Sequence, residues 1–359
     1  MRIAISGASG YIGQHLSSFL EGKGYDVIPL GRDLFKEDCF DELCRCVESC
    51  EVVINLAGAS INKRWTEAYK QELYDSRICV TRQLVHAINT RSVKLELFIS
   101  ASAVGYYPAF GEYDEYHDCR GMDFLARLCG AWEEEASACS SDVRLVITRF
   151  GVVLSEDGGA LKEMLRLQRF SRVSVVIGNG QQRFPWISLF DLCRSFGYII
   201  RNRQMRGVVN LVSPDLITQK QLAHTLARAD KIRRIIPLPE FFFRLKFGEG
   251  ASFVTKGQTV HPSKLQESGF TYIYPTIEKL MNITDHHTVP ELDVKRYMGR
   301  WYEIARYENH FERGMTDVTA TYTLLPDGKI RVENEGYKGG VHKKATGRMV
   351  LCGLLYLRT

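Results

Sequence analysis

The 359-residue chain has no run of five like charges, and its 47 basic and 42 acidic residues leave a net charge of only +5. So evenly mixed a surface lacks the basic stripe that a nucleic-acid-binding face needs, and no nucleic-acid partner is expected. Ten cysteines are present, yet none falls into a metal-ligand spacing. Cys44, Cys46 and Cys50 come nearest, and no second Cys or His pair completes them. Reduced thiols in a cytoplasmic protein, with no metal, are therefore expected. No charged-then-apolar leader precedes the first strand, so no secretory signal is read. The longest apolar stretches, such as 349–357, fall well short of the ~20 residues that span a bilayer, so membrane insertion is not expected. Internal repeats and low-complexity tracts are also missing.

What is present is ordinary globular composition, 45% hydrophobic and 25% charged, in a chain long enough for about two domains. The front half alternates strands and helices, which predicts a parallel sheet with crossover helices. Strands are read at 2–6, 25–30, 51–56, 95–100 and 143–149, and helices at 12–22, 66–89 and 123–139. Pro29 cannot donate to a ladder, so the second strand is expected to end or bulge there. Beyond Gly151 the pattern becomes mixed, with short strands at 174–177 and 207–212 and a helix at 218–229. This part reads as a smaller lobe over the carboxyl edge of the sheet. Residues 284–290 are polar, include His286 and His287, and read as a solvated linker. Alternation at 319–324 and 329–333, split by Pro326-Asp327-Gly328, is a hairpin signal.

The sharpest motif is Gly7-Ala8-Ser9-Gly10-Tyr11-Ile12-Gly13, directly after the first strand and opening a helix. Gly7 permits the tight turn, Gly10 lets the backbone approach a pyrophosphate, and Gly13 lets the helix pack closely on the sheet. The helix N-terminus then aims amide donors and its positive end at the phosphates. The second strand runs out into Leu30-Gly31-Arg32-Asp33. Arg32 can grip a 2′-phosphate, which favours NADP, whereas Asp33 could serve the ribose of NAD. Asn55-Leu56-Ala57-Gly58 closes the third strand with small residues that let a cofactor lie against the backbone.

With these blocks in place, residues 1–283 resemble the atypical short-chain dehydrogenase/reductases of the nucleoside-diphosphate-sugar epimerase-like kind. Further blocks carry the resemblance: Ser100 to Tyr107, Asp123-Phe124-Leu125, Ala131-Trp132-Glu133, Arg149 to Leu154, Phe184-Pro185-Trp186-Ile187 and Gly257-Gln258. The resemblance implies an α/β fold, an NAD(P)-binding Rossmann doubly wound parallel sheet with a small α+β C-terminal lobe. It also implies that Ser102 polarises a substrate oxygen. Related enzymes use a Tyr-x-x-x-Lys pair for proton transfer. Aligned on Glu133, this chain has Leu125 at the tyrosine and Cys129 at the lysine, and neither can do that work. Tyr106 is a substitute acid and Tyr107 a neighbour in the substrate pocket, unless both are packing aromatics. Glu72 and Arg77 either touch the cofactor or form a surface ion pair. Pro185 and Trp186 wall the substrate pocket, or Trp186 belongs to the core. The resulting cofactor set is Gly7, Ser9, Gly10, Tyr11, Ile12, Gly13, Gly31, Arg32, Ala57, Gly58, Glu72, Arg77, Ser102 and Val153.

Residues 293–350 resemble bacterial lipocalins, through Gly299-Arg300-Trp301-Tyr302-Glu303, Phe311 to Gly314 and Val318 to Tyr322. An eight-stranded barrel cannot close in the remaining length, so an incomplete antiparallel sheet is expected, with a truncated gene end as its explanation. The expected domains are thus 1–155 with parts of 156–283 for the Rossmann domain and 156–283 for the covering lobe, its end at 235–283 being the family's C-terminal region. A linker follows at 284–290, and the lipocalin-like segment at 291–359. The expected function is an NADP-dependent oxidoreductase or epimerase acting on a small polar, nucleotide-sugar-like substrate, with homodimer formation open. The alternative is a non-catalytic NADP(H) sensor or scaffold that has lost the Tyr-Lys pair.

Overall fold

The computed structural model describes residues 1–92, 95–282, 297–302, 315–327 and 329–349, without the side chains of Glu37, Arg348 and Met349. The segments read as a linker (284–290), as the 311–314 block and as the last run (351–359) lie outside the described residues. Chain contacts divide into two units, Met1–Thr284 and Asp285–Thr359.

The first unit begins with β1 (Arg2–Ser6), α1 (Tyr11–Glu21), β2 (Asp26–Leu30), α2 (Phe40–Glu48), β3 (Val52–Asn55) and α3 (Glu67–Asn89). It continues with β4 (Leu97–Ala103), the short β5 (Glu112–Tyr113), α4 (Phe124–Ser137), β6 (Arg144–Phe150), β7 (Val152–Ser155) and α5 (Gly159–Ser171). Next come β8 (Val173–Ile177), β9 (Trp186–Ser188), α6 (Leu189–Arg201), β10 (Gly207–Leu211), α7 (Gln219–Ala229), β11 (Arg234–Leu238), α8 (Glu240–Phe247) and β12 (Thr259–Val260).

Six strands form one parallel sheet in the order β10-β6-β4-β3-β1-β2. Its central strands are buried and largely apolar because helices cover both faces, with polar residues such as Ser6, Asn55, Ser102 and Arg149 gathered toward their carboxyl ends. Successive side chains alternate between those faces. Ile3, Ile5, Ile54 and Ile99 join Leu16 and Leu20 of α1 and Phe196 and Ile199 of α6 in one core. Ala4, Val53 and Phe98 join Leu43 of α2, Leu84 and Ile88 of α3 and Ala136 of α4 in the other. Side chains start the helices as the sequence suggests. Thr66 accepts from the Tyr69 amide, Asp123 from the Ala126 amide, and Thr218 with Gln221 forms a capping box.

Two expectations are corrected. β2 does not stop at Pro29, which pairs with Ile5 in register. The strand is the edge of the sheet, so the absent N–H faces no neighbour. Gly207–Leu211, read as part of the lobe, is instead the outermost strand of the main sheet, beside β6. The lobe proper holds the parallel pair β8–β11 and the pair β7–β9, around Leu154, Leu161, Leu165, Trp186, Leu222 and Leu226.

The second unit carries an antiparallel sheet of β13 (Gly299–Tyr302), β14 (Met315–Leu324), β15 (Ile330–Lys338) and β16 (Val341–Met349), in that order. The hairpin read around Pro326-Asp327 is there, with Leu324 opposite Ile330. Among the described residues no helix is long and apolar enough to cross a membrane, and no group of His, Cys, Asp or Glu could hold a metal ion.

Candidate dinucleotide site

The glycine turn is a steric construction. Gly7 has φ +73°, and a Cβ there would stand 2.8 Å from the Leu56 carbonyl. A Cβ on Gly13 would lie 2.2 Å from the Gly7 oxygen, so α1 can begin against the turn only with hydrogen at that position. Gly10 is looser, 3.2 Å from the same oxygen. It is also the N-cap of α1, and no side chain caps that end and no acidic residue occupies the first turn. The leading amides therefore keep their donors for an anion, which fits the diphosphate of a dinucleotide. Ser9 and Ile12 flank this cradle. Tyr11 turns inward against Gly158, and its buried hydroxyl lacks a hydrogen-bond partner.

The adenosine end of such a ligand would meet the exit of β2. Arg32 is exposed and, among the described residues, makes no ion pair. Asp33 is paired with Lys36 at 2.5 Å, and that hydrogen bond holds its carboxyl below the usual range. The free group is thus the cation and the engaged group is the acid. Gly31 has open space around its Cβ position.

β3 leads into a buried polar relay. Ser6 donates to Asn55 Oδ1 (2.7 Å), Asn55 Nδ2 donates to Thr81 Oγ1 (2.8 Å), and Trp132 Nε1 donates to the same oxygen (2.9 Å). Asn55 Oδ1 also accepts from the Ala57 amide, fixing the strand exit. Gly58 lies against Arg77, whose guanidinium carbon would be 2.9 Å from a Cβ. Arg77 donates to the carbonyls of Ala59 (2.9 Å) and Leu73 (3.1 Å) and lies 5.2 Å from the Trp132 ring centroid. Burial lowers its pKa, but a guanidinium stays protonated, so a cation that pairs with no carboxylate among the described residues faces this rim. Glu72 is exposed and does not pair with Arg77. Five residues turn a helix by about 500°, so the two point in different directions.

Ser102 near the end of β4 is buried and donates to Glu133 Oε1 at 2.5 Å. Glu133 in turn takes two bonds from Arg149, at 2.8 and 2.6 Å, in a buried bidentate pair. With its proton given to Glu133, Ser102 Oγ presents lone pairs and suits a substrate hydroxyl as donor. The pair Glu133–Arg149 was missed as a unit in the sequence, although both residues lie in the blocks that carry the resemblance.

The remaining candidates separate. Tyr106 stacks under Arg149, ring centroid 3.5 Å from the guanidinium carbon, and donates to Asp118 Oδ1 (3.1 Å). It opens onto a cleft of about 560 Å³ lined also by Arg120, Gly130, Glu134 and Arg149. Gly130 and Glu134 lie roughly 140° and 180° around α4 from Leu125, so Tyr106 is on the far side of that helix from the position a proton-transferring tyrosine would take. Tyr107 is buried, its one hydroxyl proton shared between the Asp114 carbonyl (2.9 Å) and Asn210 Oδ1 (3.1 Å), and it stacks on Tyr113 at 5.2 Å. Burial raises the phenol pKa of both. Leu125 sits on Gly105, 2.5 Å from where a Cβ would be. Burial pushes the Cys129 thiol up to about 12, so it stays neutral. Trp186 is fully buried in the lobe core, so a ligand ring would have to displace Leu154 or its neighbours to stack there. Pro185 is half-buried, its carbonyl accepting from the Val152 amide (2.8 Å), and Val153 pairs with Ile187.

A doubly wound parallel sheet whose first turn is a triple-glycine cradle defines a dinucleotide-binding α/β protein. Residues 3–211 match the NAD dependent epimerase/dehydratase family, and the chain belongs to that family. Residues 238–282 match a domain of unknown function and residues 292–350 a lipocalin-like domain. The Bacillus subtilis epimerase family protein YfhF is 34% identical over 307 residues, 80% of this chain and 100% of that protein. The Arabidopsis thaliana chloroplastic epimerase family protein SDR39U1 homolog is 33% identical over 297 residues, covering 77% of this chain and 85% of the relative. The crystal structure of human epimerase family protein SDR39U1 (isoform 2) with NADPH is similar with a TM-score of 0.72 and 31% identity, covering 80% of this chain and 100% of that one.

Proposed function

We propose that the chain is an NADP(H)-dependent oxidoreductase of the atypical short-chain group, acting on a small polar, nucleotide-sugar-like substrate. The observation that carries the cofactor choice is the contrast between unpaired Arg32 and Asp33 already engaged by Lys36. A 2′-phosphate would find a free guanidinium there, whereas a ribose diol would have to share Asp33 with Lys36. The human relative's NADPH supports the same reading. The nicotinamide ring, when bound, supplies the hydride donor or acceptor. The amides that open α1 would hold the diphosphate, which Gly10 lets approach while Gly7 and Gly13 shape the turn beneath it; Arg77 closes the rim, and Ser102 orients the reacting oxygen.

A second reading, a non-catalytic NADP(H) sensor, is favoured by α4. Leu125 is apolar, the Cys129 thiol is neutral, and Tyr106 and Tyr107 are committed elsewhere. Titration of the protein with NADPH and NADH tests the cofactor. NADPH should bind at least about tenfold tighter, and Arg32→Ala should erase the difference; equal losses for both would overturn the choice. Adding hydroxy compounds to the NADP+ complex tests the chemistry in the direction in which Ser102 Oγ can accept from the substrate. Gain of nicotinamide fluorescence, reduced by Ser102→Ala, supports the oxidoreductase. Tight NADP(H) binding with fluorescence unchanged across the panel assigns the sensor.

A further inference from the structure

The helix α8 is inverted relative to an ordinary surface helix. None of its eight residues is buried. Phe241, Phe242 and Leu245 are 58%, 46% and 68% exposed. At about 100° per residue these three fall within one 100° sector, with Arg244 on one flank and Lys246 on the other. Phe243 and Phe247 lie on the opposite side and are half-buried. That inner side is anchored: the Trp65 amide donates to the Phe247 carbonyl (3.1 Å), Arg64 to the Leu245 carbonyl (3.2 Å), and Phe247 packs on Phe253. The outward apolar sector is therefore not a frayed helix waiting to turn over. Phe241 and Leu245, each more than half in solvent, stand out from the surface rather than line a groove.

The two flanks of that sector are basic, and the helix's one acid, Glu240, lies on the inner side beside Gly178. Among the described residues, Arg244 and Lys246 have no carboxylate partner, and neither do Arg233 and Arg234 at the start of the strand that feeds the helix. That strand, β11, also exposes Ile236 (45%). Lys246 rests its ammonium over the Phe247 ring, 5.0 Å from the centroid; exposed phenylalanine and leucine flanked by cations without carboxylate partners are the chemistry of a helix lying in a lipid headgroup region.

We propose that α8 is an interfacial anchor for an anionic lipid surface. Phe241, Phe242 and Leu245 enter the headgroup boundary, and Arg244 and Lys246 pair with the lipid phosphates. The charge complement selects anionic over zwitterionic lipid, and the short apolar sector makes the attachment reversible. Sedimentation of the full chain with phosphatidylglycerol-containing vesicles, against pure phosphatidylcholine vesicles, is the test. Partition should be about tenfold greater on the anionic vesicles and should weaken with salt. Phe241→Ser with Leu245→Ser, and separately Arg244→Gln with Lys246→Gln, should each reduce it about tenfold while leaving NADPH binding unchanged. Both pairs leave Phe243 and Phe247 in place. The proposal is overturned by equal pelleting of wild type and variants, or by no pelleting on anionic vesicles. It is also overturned if the Phe241/Leu245 variant abolishes a concentration-dependent dimer, which would assign the face to a second copy. A loss of NADPH binding or turnover without a change on vesicles would assign the face to the cleft instead.

Discussion

One methyl group separates the tasks of the three glycines. At Gly13 it would meet the Gly7 oxygen at 2.2 Å, so Gly13→Ala should cost about 3 kcal/mol or prevent folding. At Gly10 the same contact is 3.2 Å, which a small shift relieves. Gly10→Ala should thus keep a near-native melting temperature while NADPH affinity falls by about tenfold, because the methyl stands where the diphosphate must approach; calorimetric titration beside a melting curve separates the two. Cys129 makes a different residue-level prediction. Its thiol, pushed up to about 12, should resist alkylation at pH 8 in the native protein, whereas exposed Cys79 and Cys119 react. Its folded pKa lies above the ordinary value near about 8.5, so its contribution to stability is present below that pH. It is lost as pH rises toward about 12, and Cys193, also pushed up to about 12, adds to the same alkaline loss. Urea midpoints that stay level between pH 8 and 11 would contradict this. The glycine spacing was readable in the chain because each glycine answers a local demand. The pairing of Asp33 with Lys36 was not, since nothing in the order of residues says which neighbour a flexible acid will choose.

At the scale of elements, the buried pair Glu133–Arg149 joins α4 to β6 and holds Ser102 at the end of β4. Glu133→Gln would leave the guanidinium buried with no counter-charge, an expected loss of about 3–5 kcal/mol in a denaturant titration. The same change should lower any Ser102-dependent activity more than it lowers NADPH affinity. Helix starts were legible because Thr66, Asp123 and Thr218 cap through contacts three residues away. Pro29 misled because a proline rule depends on which edge faces a neighbour, and strand order is a tertiary fact. Trp186 and Tyr107 stayed open in the sequence for the same reason: an aromatic in a family block can wall a pocket or fill a core. Only the burial of Trp186, and the bonds from Tyr107 to Asn210 and Asp114, decide between the two.

At the scale of the whole molecule, every residue of the proposed cofactor site belongs to the unit Met1–Thr284. A chain ended after Thr284 should fold and bind NADPH within about twofold of the full chain; a larger loss would give the antiparallel sheet a part in the site. That sheet has only four strands among the described residues, and its outer strands β13 and β16 each have one neighbour. The alternation at 319–324 announced it, but no pattern in the sequence says what the sheet is for. The Ser6–Asn55–Thr81–Trp132 relay has a consequence of an optical kind. An indole bonded to Thr81 and faced by the Arg77 guanidinium sits within one side chain of the phosphate cradle's rim. Its emission should change when a nucleotide arrives, turning Trp132 into a built-in dye whose response vanishes in Trp132→Phe.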